Sequence, residues 1–168
     1  MNLIRWTAVA GMLVATGACS EAIAPTSSTT VGANLVRLTV SASSTEVVRG
    51  SLATVEITLV NEGSEPVTLH FGDSCQILPY LRNGFGKVVI PEVGGWGCLT
   101  VLTQLTLLPQ QPVVRQYFWI GTAAFLTQRP MFSLPPGPRF LSPGKYFLSA
   151  EVPSAEAMLR ATTEVTLK

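Results

Sequence analysis

The side chains in this sequence that could do chemistry are few: three cysteines, Cys19, Cys75 and Cys98, and one histidine, His70, in 168 residues. A histidine-based active site needs a nucleophile and an acidic orienter in a recognisable signature, and a zinc site needs four ligands at set spacing. His70 stands in Leu69-His70-Phe71 with neither. The chain is therefore expected to have no catalytic residue, no metal site and no cofactor, and so not to be an enzyme. By the alternation of Val67, Leu69 and Phe71, His70 falls on the outward face of a strand. Asp73 and Glu92 flank the cysteine regions, but calcium asks for several oxygen ligands at fixed intervals, and turn roles are the simpler expectation for both. Gly94, Gly95 and Gly97 are followed by no Lys-Ser/Thr pair, so they form no phosphate loop.

Composition narrows the class. Charged residues make up 12% of the chain and hydrophobic ones 47%, with a net charge of +1. That balance leaves no electrostatic footprint for nucleic acid. Fourteen glycines and twelve prolines break the apolar content into short pieces, which favours strands and turns over long helices.

The N-terminal residues read as an export signal. Arg5 gives a positive start, Trp6 to Ala15 is a short apolar run, and Thr16, Gly17 and Ala18 are small. The run is well short of the ~20 residues that span a bilayer as a helix. The segment Val14-Ala15-Thr16-Gly17-Ala18-Cys19 resembles the lipobox of bacterial lipoproteins, with Thr16 where that family usually has Leu. The resemblance implies that residues 1–18 are removed and that Cys19 carries the acyl chains; the alternative is an ordinary signal peptide, with Cys19 incidental. Lasting attachment takes more than one chain, at about 0.8 kcal/mol per buried methylene. Residues 19–33 are rich in Ser, Thr and Ala, and are expected to be a tether without packed structure. The expected location is the cell envelope, lipid-anchored to a membrane: the outer membrane, or the periplasmic face, in a Gram-negative cell.

If Cys19 carries lipid, Cys75 and Cys98 remain, and an oxidising compartment would pair them. The disulfide would bring Asp73 and Glu92 to one end of the fold, with the glycines turning the chain around it and Trp96 covering it. Neither cysteine has the Cys-x-x-Cys context of a redox-active pair.

What must position these residues is a set of strands. Val36, Leu38 and Val40 alternate with polar neighbours, as do Ala53, Val55, Ile57 and Leu59. The turn Asn61-Glu62-Gly63-Ser64-Glu65-Pro66 is expected to join the latter to Val67–Phe71 as a hairpin. Gln76–Arg82 and Lys87–Pro91 read as a second hairpin through Asn83-Gly84. With Val101–Leu108, Val113–Ile120, Lys145–Val152 and Ala161–Leu167 there are about nine strands, which predicts an all-β, immunoglobulin-like antiparallel β-sandwich over residues 34–168.

Three stretches carry a further likeness: Val60 to Leu69 with its N-x-G-x-x-P-V turn, Tyr80 to Val89 ending in G-K-x-V, and Leu141-Ser142-Pro143-Gly144-Lys145-Tyr146. Together they resemble the BsuPI-type proteinase-inhibitor domain over roughly residues 50–152. The resemblance implies an Ig-like fold and the inhibition of a protease; the export signal and the cysteine pair depart from the intracellular founding family.

Residues 121–144 form a 24-residue stretch with five prolines and many apolar side chains, unusual for a connection inside a domain. Tyr117, Phe118 and Trp119 put aromatics on both faces of the preceding strand, so this stretch is expected either to pack over Phe118 and close an edge, or to present Arg129, Pro130, Met131, Phe132 and Leu134 as a rigid binding loop. The expected role is a non-enzymatic envelope module that binds a protein partner or acts as a scaffold. The alternative is a proteinase inhibitor whose exposed loop within 121–144 enters a protease cleft.

Overall fold

Alternating apolar and polar residues place one face of each strand inside, and the burial follows that pattern: β2 (Val36–Ala42), β4 (Ala53–Asn61) and β11 (Met158–Leu167) bury every second side chain. The computed structural model describes residues 35–128 and 137–168, together with the backbone of 26–31. Among these, eleven strands form. The others are β1 (Thr26–Val31), β3 (Glu46–Val47), β5 (Val67–Phe71), β6 (Leu78–Asn83), β7 (Val88–Ile90), β8 (Thr103–Leu107), β9 (Val113–Trp119) and β10 (Gly144–Pro153). Sheets of order β1-β2-β4-β9 and β3-β11-β10-β6-β7 form the two layers, and β5 and β8 pair apart as a ribbon. All pairings are antiparallel except β3 beside β11. The fold is an all-β, Ig-like sandwich, as its alternation predicts.

Leu38, Val40, Ile57 and Leu59 from one layer meet Leu81, Leu148, Leu159 and Leu167 from the other in a core closed to solvent. Trp119 is wholly buried; its indole N–H donates to the Thr122 carbonyl at 2.8 Å, and its ring meets Tyr146 edge-on. The Tyr146 hydroxyl donates to the Ser142 carbonyl four residues upstream, at 2.7 Å. This bond accounts for the Pro-Gly-x-Tyr pattern at the start of β10: it fixes the chain's entry into the strand, as a tyrosine corner does.

Three expectations are corrected. Thr26–Val31, taken as part of a tether over 19–33, is a strand paired along its whole length with β2. An edge strand needs only backbone donors and acceptors, so Thr-Ser-Ser-Thr-Thr-Val can form one without an apolar face. The β4 and β5 runs do not form a hairpin: β4 pairs with β2 and β9, whereas β5 pairs with β8. The buried Asn61 directs the crossing. Its amide donates to the carbonyls of Glu65 (2.7 Å) and Leu107 (3.1 Å), its side-chain oxygen accepts from the Gly63 amide (2.9 Å), and the chain leaves the first sheet there. The β6 strand begins two residues later than the expected Gln76.

The β6–β7 hairpin is present, closed by a three-residue loop. The Gly86 amide donates to the Asn83 carbonyl at 2.9 Å with Gly86 at φ 79°, and the Asn83 side chain accepts from the Phe85 and Lys87 amides. A turn followed by a glycine in the left-handed region is what a loop of this length requires.

Candidate binding surface

The sulfurs of Cys75 and Cys98 are joined, with the Cα atoms 5.5 Å apart. The bridge ties the middle of the β5–β6 connection to the loop Pro91–Leu102. That loop is braced at further points. The Ser74 amide donates to the Leu99 carbonyl (3.0 Å), and the Leu99 amide donates to the Ser74 hydroxyl (2.9 Å). The Trp96 indole N–H donates to the Pro79 carbonyl at 2.9 Å and its ring meets Tyr80 edge-on, so Trp96 clamps the loop to β6 as well as flanking the disulfide. Burial is the main reason the Tyr80 hydroxyl titrates above its usual range; the Glu151 charge adds to this, and Arg82 and Arg160 oppose it.

Asp73 serves a turn, as expected: its carboxylate accepts from the Cys75 amide at 2.8 Å, and its carbonyl accepts from the Thr103 hydroxyl at 2.7 Å. One Asp73 carboxylate oxygen and the two sulfurs lie within 4.8 Å of one another. Thiolates ligate metals and a disulfide does not, so the bridged form offers only the carboxylate. Glu92 does not join Asp73. It pairs with Arg139, on the far side of the loop that follows β9.

Held this way, the loop points apolar side chains outward. Val93 is 90% exposed, Leu99 73%, Val101 50% and Leu102 84%. Nothing in the local pattern of these residues signalled exposure, because apolar runs ordinarily read as strand.

His70 is on the outward face, as expected, but it has a partner that its neighbours in sequence do not announce. Its ring Nδ1 lies 2.6 Å from a Glu156 carboxylate oxygen, and its amide donates to the other oxygen at 3.0 Å. Its carbonyl accepts from the Ala155 amide at 2.8 Å. The β10–β11 turn therefore docks on the edge of β5 away from β8. These bonds from the His70 backbone and ring hold the Glu156 carboxyl down at about 2, below its ordinary 4.5. Glu156 is 86 residues away, beyond the reach of a local signature.

The third feature is a groove flanking β7. One part, of about 270 Å³, is lined by Lys87, Val89, Glu92, Ala123, Arg139 and Leu141. The ends of the 121–144 stretch are paired with each other across it: Ala123 donates to the Arg139 carbonyl and Leu141 to that of Gly121. Phe118 and Leu126 exchange two backbone bonds of 2.8 Å, so this stretch caps the β9 edge at Phe118. The expected binding loop Arg129, Pro130, Met131, Phe132 and Leu134 lies outside the described residues, as does Cys19.

Among solved structures, the chain is similar to the CARDB domain of a Pyrococcus furiosus protein in complex with di-metal ions, at 14% identity and a TM-score of 0.42, covering 79% of this chain and 84% of that one. It is also similar to part of a β-glucosidase from Erythrobacter marinus (11% identity, TM-score 0.39, 86% of this chain and 16% of that one). A β-glucosidase from Listeria innocua gives 14% identity and a TM-score of 0.39, over 87% of this chain and 16% of that one. No protein-family model matches the sequence, and no curated protein matches it.

Proposed function

We propose that this chain is a non-enzymatic lipoprotein of the cell envelope, anchored through acyl chains on Cys19, whose Ig-like sandwich presents a protein-interaction surface. The observation that carries the binding role is the Pro91–Leu102 loop. A disulfide, two bonds to Ser74 and the Trp96 clamp hold it, yet its Val and Leu side chains face solvent. A loop ordered before binding loses little entropy on docking. The anchoring role rests on the lipobox-like residues 14–19.

Two measurements test the reading. Wild type should take up radiolabelled palmitate and Cys19→Ala should not; a wild type that takes up none overturns the lipid anchor. A photocrosslinker at Leu99 in intact envelopes should give a discrete protein adduct that the same group at the exposed Gln111 does not; identical patterns from both positions would remove the loop as the binding surface.

Proteinase inhibition, implied by the BsuPI-type resemblance, is a second reading. One observation favours it: a protease cleft is best blocked by a loop that cannot relax, and Pro91–Leu102 has that bracing in addition to whatever residues 121–144 contribute. Titration of a panel of envelope serine proteases with the pure protein decides it, and full protease activity at saturating protein rejects it.

A further inference from the structure

We infer that the Pro91–Leu102 loop is a self-association surface, and that the partner it meets is the same loop of a second copy of this chain. The inference rests on the reading of this loop as an interaction surface and names its occupant.

Three properties of the loop select a second copy. The first is charge. In a two-fold interface a patch meets itself, so any unpaired charge faces its own like. Pro91–Leu102 contains one ionisable side chain, Glu92, and Arg139 neutralises it. The second is the absence of any Lys or Arg in the loop, while the Arg139 guanidinium beside it is taken up by Glu92. A surface that lies on anionic lipid uses basic residues beside its apolar ones. Trp96, the residue best suited to a headgroup layer, already has its indole N–H on Pro79. The third is size. Val93, Leu99, Val101 and Leu102 are each half or more exposed on one braced loop of a dozen residues. A loop of that length meeting its own copy buries less than a standard interface, which sets the expectation of a weak and reversible dimer.

The rest of the molecule makes the loop distinctive. The part of the β9 edge left unpaired among the described residues carries Arg115 in register with the buried Ile57, so a charge stands at a core-facing position, a device that discourages strand-to-strand pairing. The loop has no such guard. Confinement of anchored molecules to one surface would raise their local concentration, so that a dimer weak in solution is populated there.

The test is sedimentation velocity on the mature chain, residues 20–168, which lacks both the acyl chains and the apolar residues 1–18 as causes of association, from low micromolar to submillimolar concentration. A monomer–dimer equilibrium is expected, weakened at least about tenfold by Leu99→Glu with Leu102→Glu. Both side chains are mostly exposed, so the fold should survive, and an unchanged thermal transition confirms it; Val93→Glu is a second, independent variant. A chain monomeric throughout the range, or a dimer indifferent to all three substitutions, overturns the inference. A monomer that still gives a specific Leu99 adduct in envelopes overturns self-association while leaving the interaction module standing, and loss of the adduct as well removes both.

Discussion

At the scale of single residues, two side chains hold contacts that no local pattern announces. Asn61 is fully buried and satisfies two carbonyls and one amide, from its own turn and from β8. Asn61→Ala leaves the Leu107 and Glu65 carbonyls without their donor, and is expected to cost about 2–4 kcal/mol in urea unfolding. Asn61→Asp should be no better, because a carboxylate cannot donate; recovery of stability by Asp would show that the two carbonyl bonds carry little. Glu156 gives a pH prediction. Its carboxyl titrates at about 2 in the folded chain and at the ordinary 4.5 when unfolded, so between those values the unfolded state binds more protons and stability rises with pH. The contribution is complete above 4.5 and lost as pH falls to about 2. The gap in urea midpoint between the wild type and Glu156→Gln should therefore be constant near neutrality and close on acidification through that window. A gap that stays fixed to pH 2 would mean the carboxylate charge is not what His70 stabilises. His70 was readable as an outward-facing residue from the Val67, Leu69 and Phe71 alternation. Its partner was not, because strand topology alone brings the β10–β11 turn to β5.

Among the elements, those that alternate cleanly were legible. The strands β2 and β4 were found where alternation put them, the last strand begins at Met158, three residues before the expected Ala161, and Asn83-Gly84 marked the β6–β7 hairpin, although the loop closes over three residues rather than two. The elements that were missed or misjoined lack the corresponding signal. β1 has no apolar face to reveal it, and the turn residues 61–66 show that the chain reverses without showing which sheet it rejoins. That choice depends on Asn61 reaching Leu107, 46 residues away. The β9 edge yields a prediction at this scale. Arg115 pairs in register with Ile57 on the core-facing side of the strand, while among the described residues Leu126 caps the edge at Phe118 alone. Arg115→Val completes an apolar face on an uncapped edge, and should increase light scattering and aggregation on warming while shifting the unfolding midpoint little. A variant as dispersed as the wild type would mean that other features protect this edge.

For the molecule as a whole, the disulfide has two separable roles. Stability is one: closing a loop of about 24 residues restricts the unfolded chain and is expected to contribute roughly 3 kcal/mol in the chain-entropy model. Presentation is the other, because the same bridge, with Ser74 and Trp96, keeps Val93, Leu99, Val101 and Leu102 outside the core. The Cys75→Ser/Cys98→Ser double variant tests them separately. The sandwich core lies between β2, β4, β10 and β11 and does not include the cysteines, so the variant should fold, with a urea midpoint lowered by about 3 kcal/mol of stability and an unchanged far-ultraviolet β signature. Amide hydrogen exchange should then accelerate in residues 91–102 well beyond the change in β10 and β11, because the loop loses its covalent brace while the sheets keep theirs. Equal acceleration everywhere would mean that the bridge acts only through global stability and that the loop owes its order to the Trp96 clamp and the Ser74 bonds. The two cysteines were legible as a pair from the count of thiols in a chain expected to be exported; the direction in which the loop between them faces was not, since it follows from Trp96 finding the Pro79 carbonyl on a strand 17 residues earlier.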